Sequence, residues 1–398
     1  MRRSYRPRTG PGTVTPSHLV DPRQWREADA EAPVADSVER QPCVRYGRPV
    51  SDDDFASRIE QHRRELRVHC YRMVGSFDEA EDLVQEVFLK AWRARDGFEG
   101  RSSLRSWLYR IATNVCLDAL DGRKRRLLPD QANPDYAPGQ PVATLVTGPW
   151  LQPFPDALRE PYALREARPL REPRTVREPV APRQDEPEAA VVARETLELA
   201  FLAAMQHLPP RQRAAVILCD VLGWPARQTA QVLDGSVASV NSALQRARVT
   251  LREHLPPGRS DWAPAAPPTE PQRQVLRRYL DAVERGDLDE VAELLAKDVR
   301  ATMPPLPEWF ADRESVLAAL AATWDPTSAE YIGALRMIPT SANGQLAAAS
   351  YRRPPGQQVF EPFGIGVLQV RDGLITEIVA FHEPALFPAF GLPPTLDR

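Results

Sequence analysis

The sequence predicts a chain of several domains: two all-α units followed by an α+β unit whose helices pack on a curved antiparallel sheet. Three observations lead to this prediction. At 398 residues the chain is too long for one hydrophobic core, and its 41 prolines against 20 glycines indicate long segments outside helices and strands. Apolar residues recur with helical spacing through 76–126 and 191–255. Strand-like segments appear only from residue 299 onward.

Changes in composition mark the boundaries between these units. Residues 1–50 hold proline, arginine and small residues without an apolar period, which predicts a disordered tail. The remainder is predicted to divide into a first helical unit at 51–126, a proline-rich linker at 127–190, a second helical unit at 191–255, a proline-rich hinge at 256–271 and the α+β unit at 272–398.

The linker contains a short repeat. Four blocks follow one another with a period of six, from Leu158-Arg-Glu-Pro to Val176-Arg-Glu-Pro. Each block supplies one aliphatic side chain, which is too little to bury a core, so an extended charged spacer is predicted. The segment 149–155 is more apolar and is a candidate docking segment.

Bulk properties exclude several classes of protein. The net charge of −3 hides local basic patches and therefore does not argue against nucleic acid as a partner. The four cysteines are far apart, and His62 and His69 have no carboxylate or cysteine companions, so neither a metal site nor another cofactor is expected. Without a long apolar run or a signal-peptide core, the chain is expected in the cytoplasm with no membrane partner.

The first helical unit has its clearest helix start at Ser76. Ser76 and Glu79 have the spacing of a capping box, and apolar residues recur at helical spacing behind them. The opposite face of this helix is acidic and includes Asp82, Gln85 and Glu86. One side of the helix is therefore predicted to pack, while the other is free to meet a partner.

A second helix follows from Leu104 to a left-handed cap at Gly122. Its exposed side carries an aromatic ring, a cation, an amide and a carboxylate: Trp107, Arg110, Asn114 and Asp118. These groups are suited to stacking on an unpaired base, holding a phosphate and reading a base edge. The stretch 101–126 carries a net charge of +5, against −4 for 76–99, so the two adjacent helices have opposite signs. The alternative is that these are two solvated amphipathic helices. It does not explain why an acidic helix is followed by a helix with an aromatic, basic and amide face and then by a basic end.

The residues Asp82-Leu-Val-Gln-Glu-Val-Phe88, followed by Phe98-Glu-Gly-Arg-Ser-Ser-Leu-Arg-Ser-Trp-Leu-Tyr-Arg-Ile-Ala-Thr-Asn114, resemble region 2 of extracytoplasmic-function sigma factors of the sigma-70 family. The resemblance implies that Asp82, Gln85 and Glu86 face the clamp helices of core RNA polymerase. It also implies that the loop from Glu99 to Ser103, with Asn114 and Asp118, surrounds a flipped base of the minus ten promoter element. The predicted minus ten contacts are Arg101, Ser103, Trp107, Arg110, Asn114 and Asp118.

The second helical unit has the spacing of a helix-turn-helix. A short helix opens at Pro225, Asp234-Gly235 is predicted to form a tight turn, and Ser236 caps a longer recognition helix. The outer face of that helix carries residues that bond bases and phosphates in a major groove: Ser239, Asn241, Ser242, Gln245, Arg246 and Arg248.

The segments Leu208-Pro-Pro-Arg-Gln-Arg-Ala and Val240-Asn-Ser-Ala-Leu-Gln-Arg-Ala-Arg248 resemble region 4 of the same sigma factors. The resemblance implies that this unit binds the minus thirty-five element. Two positions depart from the family pattern: Gln228 stands where glutamate is usual, and Asn241 stands where a base is common. The second departure leaves the sequence of that element open.

The third unit begins with a helix pair broken at Gly286-Asp287, and a further helix is predicted from Arg313. Strands are predicted at 299–303, 346–351, 364–370 and 375–381, the last of them after the turn Arg371-Asp-Gly-Leu374. With Met303-Pro-Pro, Trp309-Phe and a closing Phe381-His382, this order resembles the SnoaL-like, nuclear-transport-factor-like domain. Members of that family include isomerases and cyclases that use an acid or a histidine inside a cavity. Candidate lining residues for such a cavity are Asp281, Trp309, Arg336, His382 and Glu383. The alternative is that these residues only close a cone used as a docking surface.

Taken together, the motifs predict a sigma factor that is not an enzyme, with core RNA polymerase and promoter DNA as partners. The third unit is predicted to regulate the other two, with an unknown small molecule as a candidate ligand. An ordinary transcription regulator would need only the helix-turn-helix and would leave 76–126 unexplained. An isomerase-like or cyclase-like enzyme would need only the third unit.

Overall fold

The computed structural model describes residues 52–98, 102–137, 145–158, 197–255 and 267–397. The predictions for the N-terminal tail, for Arg101, for the repeat beyond residue 158 and for most of the hinge lie outside these ranges. Within them, no helix combines the length and the apolar character needed to cross a bilayer.

The first unit consists of four helices around one core. They are α1 Asp52–Glu60, α2 Arg63–Val74, α3 Phe77–Arg93 and α4 Leu104–Leu120. Ser76 caps α3 as predicted, because its Oγ accepts from the backbone N of Glu79 at 3.3 Å. The Glu79 carboxylate does not complete the predicted capping box. It binds Arg123 and Arg126 instead, so the basic residues 123–126 that follow α4 are held at the start of α3.

The histidines of this unit have structural neighbours. His69 is fully buried, and its Nε2 lies 3.1 Å from the hydroxyl of Thr113 on α4. Burial lowers the pKa of His69 to about 3, so the ring is neutral in the folded protein. The ring of His62 is bonded to the carboxylate of Glu65. The expectation that His62 has no carboxylate companion is therefore wrong, because Glu65 lies one helical turn away from it.

The second unit is formed by α6 Leu199–Gln206, α7 Pro210–Val216, α8 Ala226–Val232 and α9 Val237–His254, while α5 Pro129–Ala132 belongs to the linker. In the turn predicted at Asp234-Gly235, before α9, Asp234 adopts the left-handed conformation, with φ 47°. Aspartate tolerates this region better than most residues. Gly235 matters for space, since a Cβ there would lie 3.0 Å from the Ser239 hydroxyl.

The third unit has three helices and one sheet. The helices are α10 Glu270–Arg285, α11 Leu288–Leu294 and α12 Arg313–Trp324. The strands are β1 Leu295–Thr302, β2 Trp309–Phe310, β3 Ala334–Ala342, β4 Gln345–Arg353, β5 Glu361–Arg371 and β6 Leu374–Phe381. Of these strands, β2 and β3 were not predicted.

The sheet is mixed rather than purely antiparallel. Its strand order is β2-β1-β6-β5-β4-β3, and β1 runs parallel to β6 while the other neighbours are antiparallel. β1 and β6 are neighbours in the sheet although α12 and the strands β3, β4 and β5 lie between them along the chain. The predicted architecture of helices on a curved sheet is confirmed, with this one parallel pair as the correction.

Both faces of the sheet are covered. Leu346, Ala348 and Leu368 belong to a core shared with α10, α11 and α12. Residues that alternate with them, such as Ala347 and Val367, belong to a second core that continues through the two helical units. An antiparallel sheet often leaves one face to water. Here the face turned away from the unit's own helices contributes to the core of the first two units.

Residues 127–137 and 145–158 of the predicted linker are packed rather than extended, and they include 149–155, the candidate docking segment. Leu127 and Trp150 form a β-bridge, and the side chains of Leu151 and Phe154 are fully buried. The indole Nε1 of Trp150 donates to the carbonyl of Pro305 at 3.0 Å. Apolar side chains at 150, 151 and 154 bury more surface than a solvated spacer would, which explains why this stretch is held between units.

Candidate nucleic-acid interface

The acidic stripe of α3 lies open to solvent. Asp82, Gln85 and Glu86 are all exposed, and Leu89, one turn further on, is 57% exposed. Glu86 pairs with Lys90 at 3.0 Å along the same helix. The stripe thus joins carboxylates to an apolar side chain that nothing in the described chain covers, a composition suited to a protein partner.

The predicted minus ten residues on α4 are less free. Trp107 packs against Phe98 with ring centroids 5.1 Å apart and against Phe55 at 6.5 Å. Ser103 caps α4, since its Oγ accepts from the backbone N of Ser106 at 3.1 Å. Asn114 and Asp118 lie further along α4 on the wall of a cleft. Trp107 and Ser103 therefore have structural contacts in addition to any role toward DNA.

The second unit covers part of this face. Arg110 donates to Asp234 at 2.7 Å, and Gln228 Nε2 donates to the Ser106 hydroxyl at 3.0 Å. The rings of Tyr109 and Trp224 lie 5.1 Å apart. Gln228 is one of the two positions that depart from the family pattern, and its amide is one of the contacts between the units. The arrangement is a closed one, in which the helix-turn-helix packs on the face of α4 that the sequence predicted to read bases.

The outer face of α9 remains accessible. Asn241, Ser242, Gln245 and Arg246 are exposed. Arg248 is engaged by Asp220, with contacts of 2.7 and 3.1 Å, and this hydrogen-bonded pair raises the pKa of Arg248. The Ser239 hydroxyl donates to the carbonyl of Ser236 and accepts from its backbone N, so its first role is to cap the helix. Four of the six predicted residues are thus on a free face, and two have intramolecular partners.

The predicted cavity residues of the third unit have separate partners. Asp281 is exposed on α10, and Arg336 pairs with Glu284 at 3.4 Å. The indole of Trp309 donates to the carbonyl of linker residue Asn133 at 2.8 Å. These contacts do not unite the residues as the lining of one cavity.

The two remaining cavity candidates lie on the side of the linker. The ring of His382 is buried 4.6 Å from that of Phe363, and burial lowers the pKa of His382. Glu383 accepts from Gln152 Nε2 at 2.8 Å, and burial raises the pKa of this carboxyl. The Glu383 side chain thus serves a contact between the third unit and the linker.

The tip of the β3–β4 hairpin forms a buried junction between all three units and the linker. The side-chain amide of Asn343 donates to Tyr71 Oη on α2 at 2.9 Å and to the carbonyl of Leu197 at 2.6 Å. Its Oδ1 accepts from the backbone N of Phe154 at 2.8 Å, and its own backbone N donates to the Phe154 carbonyl at 2.9 Å. Asn343 is 1% exposed. We call these residues, with Gln152, the Asn343 junction.

Gln152 extends the junction toward the start of α3. Its carbonyl accepts from Tyr71 Oη at 2.7 Å, and its Oε1 accepts from the Ser76 hydroxyl at 2.7 Å. Its Nε2 donates to Asp78 at 2.9 Å as well as to Glu383. One linker side chain thus connects the cap of α3 to the end of β6.

Sequence reasoning missed the Asn343 junction although a signal for it was present. Asn343-Gly344 is the dipeptide favoured in two-residue hairpins, and both residues have positive φ, 58° and 73°. That signal, placed before the predicted strand at 346–351, would have located β3 and the hairpin tip.

A second buried carboxyl lies at the other edge of the linker contact. Burial raises the pKa of Glu377 on β6, and the nearby carboxylate of Asp130 on α5 raises it further. Asp130 itself pairs with Arg300 on β1 at 2.7 Å. The linker helix is therefore held to the sheet by an ion pair beside a carboxyl whose pKa is raised.

Comparisons with known proteins match each unit separately. Family models for Sigma-70 region 2, Sigma-70 region 4 and the SnoaL-like domain match residues 58–126, 198–251 and 276–378. The chain is 39% identical over 354 residues to the ECF RNA polymerase sigma factor SigG of Mycobacterium tuberculosis, and the match covers 88% of each chain. It is 30% identical over 248 residues to SigJ of the same organism, covering 62% of this chain and 64% of SigJ.

Among solved structures, the chain resembles the crystal structure of the Mycobacterium tuberculosis extracytoplasmic function sigma factor SigJ. The TM-score is 0.52 at 23% identity, and the match covers 85% of this chain and 99% of that chain. This likeness shows a shared fold over most of the described residues.

Proposed function

This chain belongs to the extracytoplasmic-function RNA polymerase sigma factors, and from that premise we propose how its units divide the work of starting transcription. As a sigma factor it binds core RNA polymerase and promoter DNA. The acidic stripe Asp82, Gln85 and Glu86 meets the polymerase. The face of α4 reads the minus ten element, and α9 reads the minus thirty-five element. The chain works in the cytoplasm, where the polymerase acts.

One observation carries the proposal: the surface assigned to polymerase is open, while the surface assigned to the minus ten element is partly covered by the second unit. Asp82, Gln85 and Glu86 are exposed, whereas Arg110 and Ser106 are bonded to Asp234 and Gln228 of the second unit. The free chain is thus competent for its first encounter with polymerase and closed toward DNA. Separation of the two helical units then exposes α4 for the promoter.

The third unit holds this closed arrangement through the Asn343 junction. Asn343 bonds α2, the linker and the start of the second unit at once, so the units cannot separate while all its contacts persist. We assign this unit a regulatory role rather than an enzymatic one. Trp309 and Glu383, which a catalytic cavity would need, are used on linker contacts.

Promoter-directed transcription by the purified chain tests the proposal. Full-length protein and core polymerase are incubated with a library of genomic fragments, and runoff transcripts are sequenced. The expected result is a set of transcripts that share two elements at a fixed spacing and are lost without the chain. Transcription that is equal with and without the chain on every fragment would refute it.

A further inference from the structure

A large cleft lies where the end of α4 faces the start of α7. Its volume is about 1320 Å³, and both helical units contribute to its walls. Cations dominate the lining: Arg123, Lys124, Arg125 and Arg126 from the first unit, and Arg211 and Arg213 from the second. Residues 123–126 end the positively charged stretch 101–126, and in the closed arrangement they face the second unit.

The charges of the cleft are not balanced by its own carboxylates. Six cations line it against four carboxylates, and two of the four are shared with cations outside the lining: Asp118 with Lys90, and Asp234 with Arg110. Glu79 is taken up by Arg123 and Arg126. Among the described residues, Lys124, Arg125, Arg211 and Arg213 have no carboxylate partner.

Arg213 is a buried cation in the lining of the cleft, and hydrogen bonds hold its side chain in place. Its side chain is 3% exposed, and its guanidinium donates to the backbone carbonyls of Met73, Met205, Gln206 and Leu208 and to the Gln206 side chain. Burial, followed by the nearby charge of Arg125, lowers its pKa to about 10. The same Arg125 charge contributes to the low pKa of His207, about 4, after burial and His254. Both pKa shifts include the charge of Arg125, which lies close to Arg213 and His207.

We propose that this cleft binds a small anion with two or more linked phosphates, either inorganic or the tail of a nucleotide. Guanidinium groups match phosphate oxygens in charge and in paired hydrogen-bond geometry. The cleft volume lies somewhat above the roughly 300–1,000 Å³ of sites that bury small molecules.

The position of the cleft makes such an anion a regulator. Arg125 and Arg211 lie on opposite units, so a ligand that bonds both stabilises the closed arrangement and opposes exposure of α4. This consequence rests on the proposed sigma function, whereas binding of the anion does not.

Calorimetric titration of the full chain tests the site directly. Sodium tripolyphosphate represents the inorganic source and ATP the nucleotide source, with sulfate at equal ionic strength as the control for screening. We expect saturable binding of at least one of the two oligophosphates and a much weaker response to sulfate. The double variant Arg125→Ala/Arg211→Ala is expected to lose at least about ten-fold in affinity.

The matched control is Arg58→Ala/Arg371→Ala, which removes two exposed arginines outside the cleft and is expected to bind as the parent does. An equal loss of oligophosphate affinity in both double variants would overturn the proposed site, and so would the absence of saturable binding. Displacement of tripolyphosphate by a lower concentration of a mixed-sequence single strand would also overturn it, because the cleft would then be a nucleic-acid channel.

Regulation is measured separately, as binding of core polymerase and a promoter fragment in magnesium-free buffer with and without the better oligophosphate. A several-fold weakening of promoter binding, absent in Arg125→Ala/Arg211→Ala, supports the inference. Unchanged promoter binding at saturating oligophosphate overturns the regulatory part. Failure of the chain to bind polymerase at all, with calorimetric binding intact, would instead refute the proposed function.

Discussion

Replacing Asn343 by glycine is expected to loosen the closed arrangement without disturbing the hairpin. The residue has φ 58°, which glycine adopts without strain, so the turn itself is preserved. The substitution removes three side-chain hydrogen bonds, to Tyr71, Leu197 and Phe154, all of them buried. Alanine would be a poorer choice, because its Cβ adds the cost of a left-handed conformation.

The magnitude follows from the bonds that are lost. A net contribution of about 1 kcal/mol for each buried hydrogen bond gives about 3 kcal/mol for the junction. Since every 1.4 kcal/mol is a factor of ten, the ratio of closed to open molecules falls on the order of 100-fold. The backbone bonds between Asn343 and Phe154, and those from Gly344 to Asp156, remain and limit the effect.

Crosslinking between α2 and the hairpin, and promoter binding with core polymerase, report the result. We expect fewer crosslinks and severalfold stronger promoter binding for Asn343→Gly than for the parent chain. The matched control is Asp372→Gly, which makes the same kind of change in the exposed β5–β6 turn, where Asp372 has φ 49°. If both variants behaved alike, or if Asn343→Gly left crosslinks and promoter binding unchanged, the junction would not hold the units together.

Four further predictions concern the polymerase-facing stripe, the recognition helix and the pKa of Glu377. Asp82→Lys/Glu86→Lys puts like charges against the polymerase and is expected to abolish core binding in a pull-down while circular dichroism stays unchanged. Gln245→Ala is expected to change base preference at one or two positions of a selected promoter set, by roughly 1–3 kcal/mol. Arg248→Ala should instead weaken binding evenly and reduce the salt slope by about one. Glu377→Gln is expected to raise the thermal midpoint at pH 8 and to change it little near pH 4.

The sign of the pH prediction follows from the raised pKa of Glu377. An acid whose pKa is higher in the folded state than its ordinary value of 4.5 favours folding when protonated, and this contribution is lost as pH rises past that value. The glutamine variant is neutral at every pH, so its advantage appears only where the parent carboxyl must ionise. A midpoint difference that did not depend on pH would contradict this account.

The charge reversal also has a matched control. Asp289 and Glu293 on α11 are exposed and have the same four-residue spacing as Asp82 and Glu86. Reversing that pair alters net charge equally, outside the first unit. Loss of core binding in both variants would point to net charge rather than to the stripe.

Sequence reasoning succeeded where local chemistry decides structure. The Ser76 cap, the start of α12 at Arg313 and the Arg371-Asp-Gly-Leu turn are local features, and the structure contains all three. It failed where the partner is distant along the chain. Glu79 has the right spacing to complete its own cap, but Arg123 and Arg126 attract its carboxylate more strongly than the backbone N–H does.

The same limit applies to the candidate sites. Helical spacing placed Asp82, Gln85 and Glu86 on one free face, because that depends only on the helix. Spacing along α4 gave no means of knowing that Asp234, more than a hundred residues later, binds Arg110. Likewise, apolar composition marked 149–155 as a docking segment, but it gave no means of knowing that these side chains pack within the chain itself, where Trp150 donates to Pro305 of the third unit.

The two-sided burial of the sheet has a practical consequence for dissecting this chain. Cutting at the hinge would strip apolar cover from Ala347, Val367 and Phe381 on one fragment, and from Tyr71 and Phe154 on the other. Each fragment would then expose a large apolar patch to solvent. Aggregation of the fragment, or its capture by a chaperone, would be mistaken for a loss or gain of activity. The three modules are recognisable separately in sequence, yet in the folded molecule they share an interior. Single-residue substitutions at the contacts between the units therefore test how one unit affects another more directly than truncation does.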